Sequence, residues 1–298
     1  MSNFQFSTFN FQFPKILTLI LLLLTSCEKL RIEEETEQQT GNLTVSIYQL
    51  EQTPFSALST RATLTETCTR LNFAIYDMEG TRLNQVNQTV GENNFGTASF
   101  QLEEGTYKLV AIAHSSKGNP TMTNPAKIQF NKSTGYSDTF LYHTTLTITD
   151  EPKTLALTLN RIVALCRFVI NDEIPEDVKT LQFKYTGGSG TFDAATGLAS
   201  TNGTQTLEFS ELEGDAPTQY DLYTFLHDVE GTLHLTVTAL DESNNTIQER
   251  TFEVPVKQNQ ITTLSGDFFT DVTPTSRQTV TTTVSLNTAW SGQTALNY

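Results

Sequence analysis

The chain has 298 residues, with 18 Lys and Arg against 33 Asp and Glu, a net charge of −15, and 37% hydrophobic residues. A surface this acidic repels phosphate backbones and anionic headgroups, which argues against nucleic-acid binding and against electrostatic docking on anionic lipid. The length accommodates two domains of ordinary size, and three cysteines are too few for a disulfide framework.

In chain order, the first feature is the apolar run Ile16 to Leu24, behind a Phe/Gln-rich leader with a single cation, Lys15. It is about nine residues long, against roughly twenty for a spanning helix, so it reads as the h-region of a secretory signal. Leu24-Thr25-Ser26-Cys27 follows directly and matches the bacterial lipobox. In that motif Cys27 is acylated and becomes the new N-terminus. Its acyl chains insert several tens of methylenes at about 0.8 kcal/mol each, enough for a permanent anchor. An ordinary signal peptide with Cys27 as a bystander, or a short membrane anchor, are the alternatives. Residues 1–26 are thus expected to be a lipoprotein signal peptide. Residues 27–41, acidic and with little to bury, are expected to be a solvated, lipidated tether. Acidic residues behind a lipobox cysteine resemble the surface-export signal of Bacteroidetes lipoproteins.

From Asn42 the period is two, the mark of half-buried strands. Leu43, Val45 and Ile47 alternate with polar residues, as do Leu71, Phe73 and Ile75 with Asn72, Ala74 and Tyr76, before an Asp77-Met78-Glu79-Gly80 turn. Ala98 to Leu102 and Tyr107 to Ala113 are expected to form a hairpin through Glu103-Glu104-Gly105, with Gly105 at positive φ. Ile128 to Phe130, Thr139 to Tyr142, Leu146 to Ile148 and Leu155 to Leu159 complete a first domain over 42–160. A second domain over 161–270 opens with Arg161 to Ile170, where Ile162, Ala164, Cys166, Phe168 and Ile170 share one face, so that Cys166 is a core hydrophobe. Leu181 to Tyr185, Thr206 to Phe209, Tyr220 to Leu226, Leu233 to Leu240, Thr251 to Val256 and Ile261 to Phe268 follow. Leu233, Leu235, Val237 and Ala239 face inward, which turns His234 outward. No run beyond the signal has helical spacing. The expectation is all-β, two tandem sandwiches. The tail, 271–298, carries Thr279 to Leu286, alternating as a strand would. It could pair in its own chain or donate Val280, Thr282, Val284 and Leu286 to a neighbour's sheet edge; Trp290, the only tryptophan, could anchor it.

Motifs for chemistry are scarce. His114, His143, His227 and His234 never stand at metal-ligand spacing with another ligand residue, so no metal or other cofactor is expected. Ser115-Ser116 beside His114 lack the context of a nucleophile and base, and a loop histidine is the simpler account. Gly187-Gly188-Ser189-Gly190 precedes no helix and reads as a flexible turn. Asp221, Asp228 and Asp241-Glu242 leave room for one calcium ion, although no D-x-D-x-D-G loop exists. Paired carboxylates for glycoside hydrolysis cannot be singled out among so many acids. The chain is not expected to be an enzyme, a hydrolase hidden in the β-scaffold being the rival.

Two segments, Leu71 to Gly80 and Glu104 to Ala111, are similar to the first domain of Bacteroidales fimbrial subunits. So are Leu159-Asn160-Arg161-Ile162-Val163-Ala164 at the junction and Val254 to Thr262 near the end of the second domain. Over roughly 42–270 the match resembles the FimB-like anchor or minor subunits of type V pili. That resemblance implies two transthyretin-like Greek-key sandwiches, export as an outer-membrane lipoprotein, other fimbrial subunits as partners, and a host or bacterial surface ligand reached through the fimbria. Some members keep the lipid and tether the fibre. Others are cut after an arginine, which frees a groove for a neighbour's strand. Here Arg61, in Ser59-Thr60-Arg61-Ala62-Thr63, is where a trypsin-like protease could reach, and the uncut anchor is the preferred reading. A glycan-binding surface lipoprotein, with Tyr136, Tyr142 and Tyr185 as an exposed sugar platform, is the alternative.

Overall fold

Alternating apolar and polar residues place successive side chains on opposite faces of an extended chain, and the structure is built almost wholly from such segments. It is a computed structural model and describes residues 41–51, 64–210, 212, 215–270, 283–284 and 293–298. The first half comprises β1 (Leu43–Glu51), β2 (Arg70–Tyr76), β3 (Arg82–Thr89), β4 (Thr97–Phe100), β5 (Gly105–His114), β6 (Ile128–Gln129), β7 (Thr139–Ile148) and β8 (Lys153–Arg161). The second comprises β9 (Ala164–Ile170), β10 (Thr180–Thr186), β11 (Gly188–Ser189), β12 (Thr191–Phe192), β13 (Gln205–Phe209) and β14 (Thr218–Leu226). It continues with β15 (Glu230–Leu240), β16 (Thr246–Lys257), β17 (Ile261–Gly266), β18 (Thr283–Val284) and β19 (Gln293–Asn297). Among the described residues, helix is confined to single turns at Leu64–Thr67 and Lys132–Thr134. The all-β expectation holds.

The first half is one sheet in the order β3-β2-β5-β7-β8-β1-β4, folded over on itself. β7 pairs with β5 along its whole length but with β8 only at Phe140 and Leu141, and the sheet bends there. Leu71, Phe73 and Ile75 of β2 and Leu109, Ala111 and Ala113 of β5 thus face Leu43, Val45, Ala98, Phe100, Leu157 and Leu159 across one core. A bulge at Tyr48 in β1 leaves its ring 70% exposed and returns Leu50 to the interior. In the second half a four-stranded sheet, β13-β10-β15-β16, packs on a six-stranded one, β11-β14-β9-β17-β19-β18. Cys166 and Phe168 of β9 and Leu233, Leu235, Val237 and Ala239 of β15 fill the space between them, and His234 points outward.

A third core joins the halves, and no single-face reading of the strands anticipates it. Both faces of β2 are buried: Leu71, Phe73 and Ile75 lie in the first core, Ala74 and Tyr76 in this one. β5 does the same with Val110 and Ile112. Against them pack Leu165, Phe192, Phe225 and Ile261 from the second half. Phe130 lies 5.9 Å from Phe225 and 6.5 Å from Phe192. β6 and β12 pair across the boundary, Ile128 opposite Phe192.

Four local expectations are corrected. β4 does not form a hairpin with β5 but pairs with β1, its end tied by Asn42, which donates to Leu102 O at 2.7 Å and accepts from Leu102 N–H at 2.9 Å. Residues 103–105 instead cross between the layers, and Gly105 is not among the positive-φ glycines. Ile162 belongs to the core between the halves, because β9 begins only at Ala164. The Gly187 to Gly190 stretch is no flexible turn: Gly188, Ser189 and Gly190 are buried, and the chain there passes from one sheet of the sandwich to the other. β3, polar and mostly exposed, is a strand without an apolar face of its own and escaped the period-two reading.

Candidate functional site

Several side chains able to carry chemistry are engaged in structure. His114 is buried, not a loop residue: its Nδ1 accepts from Ser116 N–H at 3.1 Å, which leaves Nε2–H to donate to Asn72 Oδ1 at 2.8 Å. Asn72 in turn donates to Asn87 Oδ1 and Asn119 Oδ1. Burial, aided by the positive charge of Arg70, lowers the His114 pKa to about 3. The serine hydroxyls beside it go elsewhere, Ser115 to Thr67 O and Ser116 to Ser137. Burial, aided by Asp221, pushes the Cys166 thiol up to about 12, and Cys68 is raised likewise. Asp221 holds Arg167 through two bonds of 2.8 and 2.9 Å, and Asp241 caps its own turn through Ser243 N–H and Asn245 N–H. Among the described residues no three His, Cys, Asp or Glu gather as a metal site, and no helix is long and apolar enough to cross a membrane.

The tyrosine platform is overturned. Tyr185 lies in the core of the second sandwich, 1% exposed. Tyr136 is half-buried against the core between the halves and donates to Gln205 Oε1 at 2.8 Å. Tyr142 packs on the first core. The three rings serve three separate interiors and share no surface.

What remains is the way the two ends of the fold enter its sheets. β1 runs parallel to β8 over eight residue pairs and antiparallel to β4 over four, so it is an interior strand bonded on both edges. β19 runs parallel to β17, from Ile261 opposite Gln293 to Ser265 opposite Asn297. Parallel partners cannot be joined by a tight turn, so each position can be filled only by chain that returns from a distance. β19 buries Leu296, and Tyr298 beyond it stacks on Phe168 at 4.9 Å and donates its hydroxyl to Val169 O at 3.0 Å. Sequence reading missed β19, since Gln293 to Asn297 has no clear alternation; the aromatic Tyr298 was the signal at hand. The tail leaves the sandwich at a pinned point. Burial would raise the Asp172 carboxyl, but the N–H groups of Phe268, Thr270 and Phe269 outweigh it and hold its pKa below the ordinary value.

Of the residues expected to act, Val284 lies in β18, whose partner is β19 of the same chain. Cys27, Arg61, Val280, Thr282 and Leu286 lie outside the described residues, as does Trp290.

A family described as a family of unknown function, DUF6562, matches residues 34–297. No curated protein matches. Similar solved structures include a candidate adhesin from Bacteroides ovatus, at 14% identity over 70% of this chain and 82% of that one, with a TM-score of 0.47. The fimbrial anchor protein Mfa2 from Porphyromonas gingivalis is similar at 10% identity over 70% and 80%, TM-score 0.40. A fimbrial assembly protein from Parabacteroides distasonis is similar at 13% identity over 76% and 89%, TM-score 0.33.

Proposed function

We propose for this chain, which belongs to the DUF6562 family, a structural role in a bacterial fimbria. In this reading it is a surface-exposed outer-membrane lipoprotein, an anchor or minor subunit held by acyl chains on Cys27 and joined to neighbouring subunits by β-strand addition.

The observation that carries the reading is the position of β1. Among the described residues it is the first strand, and it is bonded on both edges, with Leu43 and Val45 fully buried. A pull on the lipid along the tether loads β1 in shear across two hydrogen-bonded ladders at once, which an anchor needs and an enzyme does not. It also bears on Arg61: a cut there would separate β1 from the chain that follows, and the strand would still have to be drawn out of the sheet before its place were free.

The test is Cys27→Ala in the producing cell. Release of the protein from detergent-extracted envelopes is expected; full retention would end the proposal. N-terminal sequencing of surface protein separates an acylated Cys27 from a new terminus at Ala62.

A further inference from the structure

The acidic residues of this chain are spread unevenly. Residues 105–137 hold Lys108, Lys117, Lys127 and Lys132 but no Asp or Glu, in a chain of net charge −15. The last three of these lysines lie between β5 and β7, in a stretch whose Met122, Ile128 and Phe130 belong to the core between the halves. With Ile128 and Phe130 turned inward, Lys127, Gln129 and Asn131 alternate out to solvent. The row is held from both sides. Gln129 N–H donates to Thr121 O at 3.1 Å and Gln129 O accepts from Thr121 N–H at 2.8 Å, while Gln129 stands opposite Thr191 of β12. The segment of the second half that meets this place, 194–207, again contains no Asp or Glu. Asp138 and Asp193, the acids next in sequence, are engaged elsewhere, with Arg161 and with Ala195 N–H.

Thr121, Gln129, Asn131 and Lys132 line a cleft of about 380 Å³, within the size range of small-ligand sites. That lining has no aromatic ring, no carboxylate and no hydrophobic residue. Asn131 Oδ1 accepts from the N–H and the hydroxyl of Ser133, both at 3.0 Å, which leaves its NH₂ as a donor. Lys132 Nζ reaches Thr204 O of the second half at 3.0 Å and keeps two further N–H groups. Lys117 is tied beside the same turn, its N–H donating to Thr134 O at 3.0 Å. Hydroxyl and amide groups match the hydroxyls of a sugar, and an ammonium matches a carboxylate. The charge of the whole chain does not oppose this, because physiological salt screens charges beyond about 8 Å and the neighbouring lysines decide. A bare inorganic anion would leave most of the cleft to water, and a nucleic acid would find no ring to stack on. We propose that this cleft binds an acidic saccharide, with Lys132 on its carboxylate and Thr121, Gln129 and Asn131 on its hydroxyls. The proposal is independent of the fimbrial role.

The test places the full chain carrying Cys27→Ala on an array of neutral, uronic-acid, sialylated and sulfated glycans, followed by titration calorimetry with the saccharide that binds. Uronic-acid or sialylated glycans should bind, and their carboxyl methyl esters should not. Lys132→Gln and Gln129→Ala should each weaken binding by about tenfold or more. Lys153→Gln, at the opposite end of β8 from Arg161, should leave it unchanged. Gln129 and Lys132 are exposed, so melting temperatures should not move, and Gln129→Ala leaves the bond from Lys132 to Thr204 in place. Binding that survives both substitutions would overturn the location, and equal binding of the methyl esters would overturn the ionic contact. Binding of sulfated glycans alone, weakened as much by Lys153→Gln, would be simple ion exchange and would overturn the site. An array with no saccharide bound would overturn the proposal outright and leave the fimbrial role standing, since envelope retention reads that role separately.

Discussion

His114 shows what a buried polar residue costs and what makes it tolerable. Both ring nitrogens are satisfied, one by the Ser116 amide and one by Asn72, so the neutral ring fits, whereas a second ring proton would lose its acceptor and add a charge. The unfolded chain protonates His114 near 6.5, and the folded chain only near 3. Between those values the unfolded state binds the extra proton, so stability is complete above about pH 6.5 and is lost progressively as pH falls toward 3. The slope from this one group is at most about 1.4 kcal/mol per pH unit. Melting temperatures of wild type and His114→Gln, measured from pH 7 to 4, should show the shallower decline for the variant. Parallel curves would remove His114 from the acid response.

At the scale of elements, the passage from β10 to β11 explains a glycine-rich string that looks like a loose loop in sequence. Gly187 has φ +87°, and a Cβ there would sit 2.1 Å from the carbonyl oxygen of Thr232, a backbone atom that cannot swing aside. At Gly190 a Cβ would come within 2.3 Å of the Tyr136 hydroxyl, a side-chain atom. These glycines let the chain leave one sheet, pair with β14 of the other through Gly188 and Ser189, and continue into β12. Gly187→Ala should therefore cost at least about 2 kcal/mol, from left-handed strain and the clash together. Gly203→Ala, where nothing lies within 4 Å, should leave the melting temperature unchanged. Equal effects at the two positions would contradict the steric account.

For the whole molecule, the decisive feature is the core between the halves. An ion pair with a buried arginine reinforces it: Arg161, at the end of β8, holds Asp138 through bonds of 2.7 and 2.8 Å and reaches Asn259 of the second half at 3.0 Å. Gln258 beside it donates to Ile162 O and Gly197 O. These bonds tie the junction to residues of both halves. Phe130→Ala removes the ring set against Phe192 and Phe225 and should cost about 3–5 kcal/mol. Hydrogen exchange should then quicken in β5 and in β14 together, on either side of the boundary. Acceleration confined to the first half would show that the sandwiches are independent.

The sequence by itself determined where most of the strands lie, β3 and β19 excepted, that Cys166 would be interior and that His234 would face solvent. Those are consequences of a two-residue period, which is written in neighbouring residues. It also carried the lipobox and the tail pattern on which the functional reading depends, since both are local strings. Only the tertiary structure decided that β4 joins β1 rather than β5, that Tyr185 is core rather than platform, that β2 and β5 are buried on both faces, and that β19 closes the second sandwich. Each of these depends on contacts between residues far apart in the chain, and a strand's own alternation says which side chains share a face but not what will come to cover it.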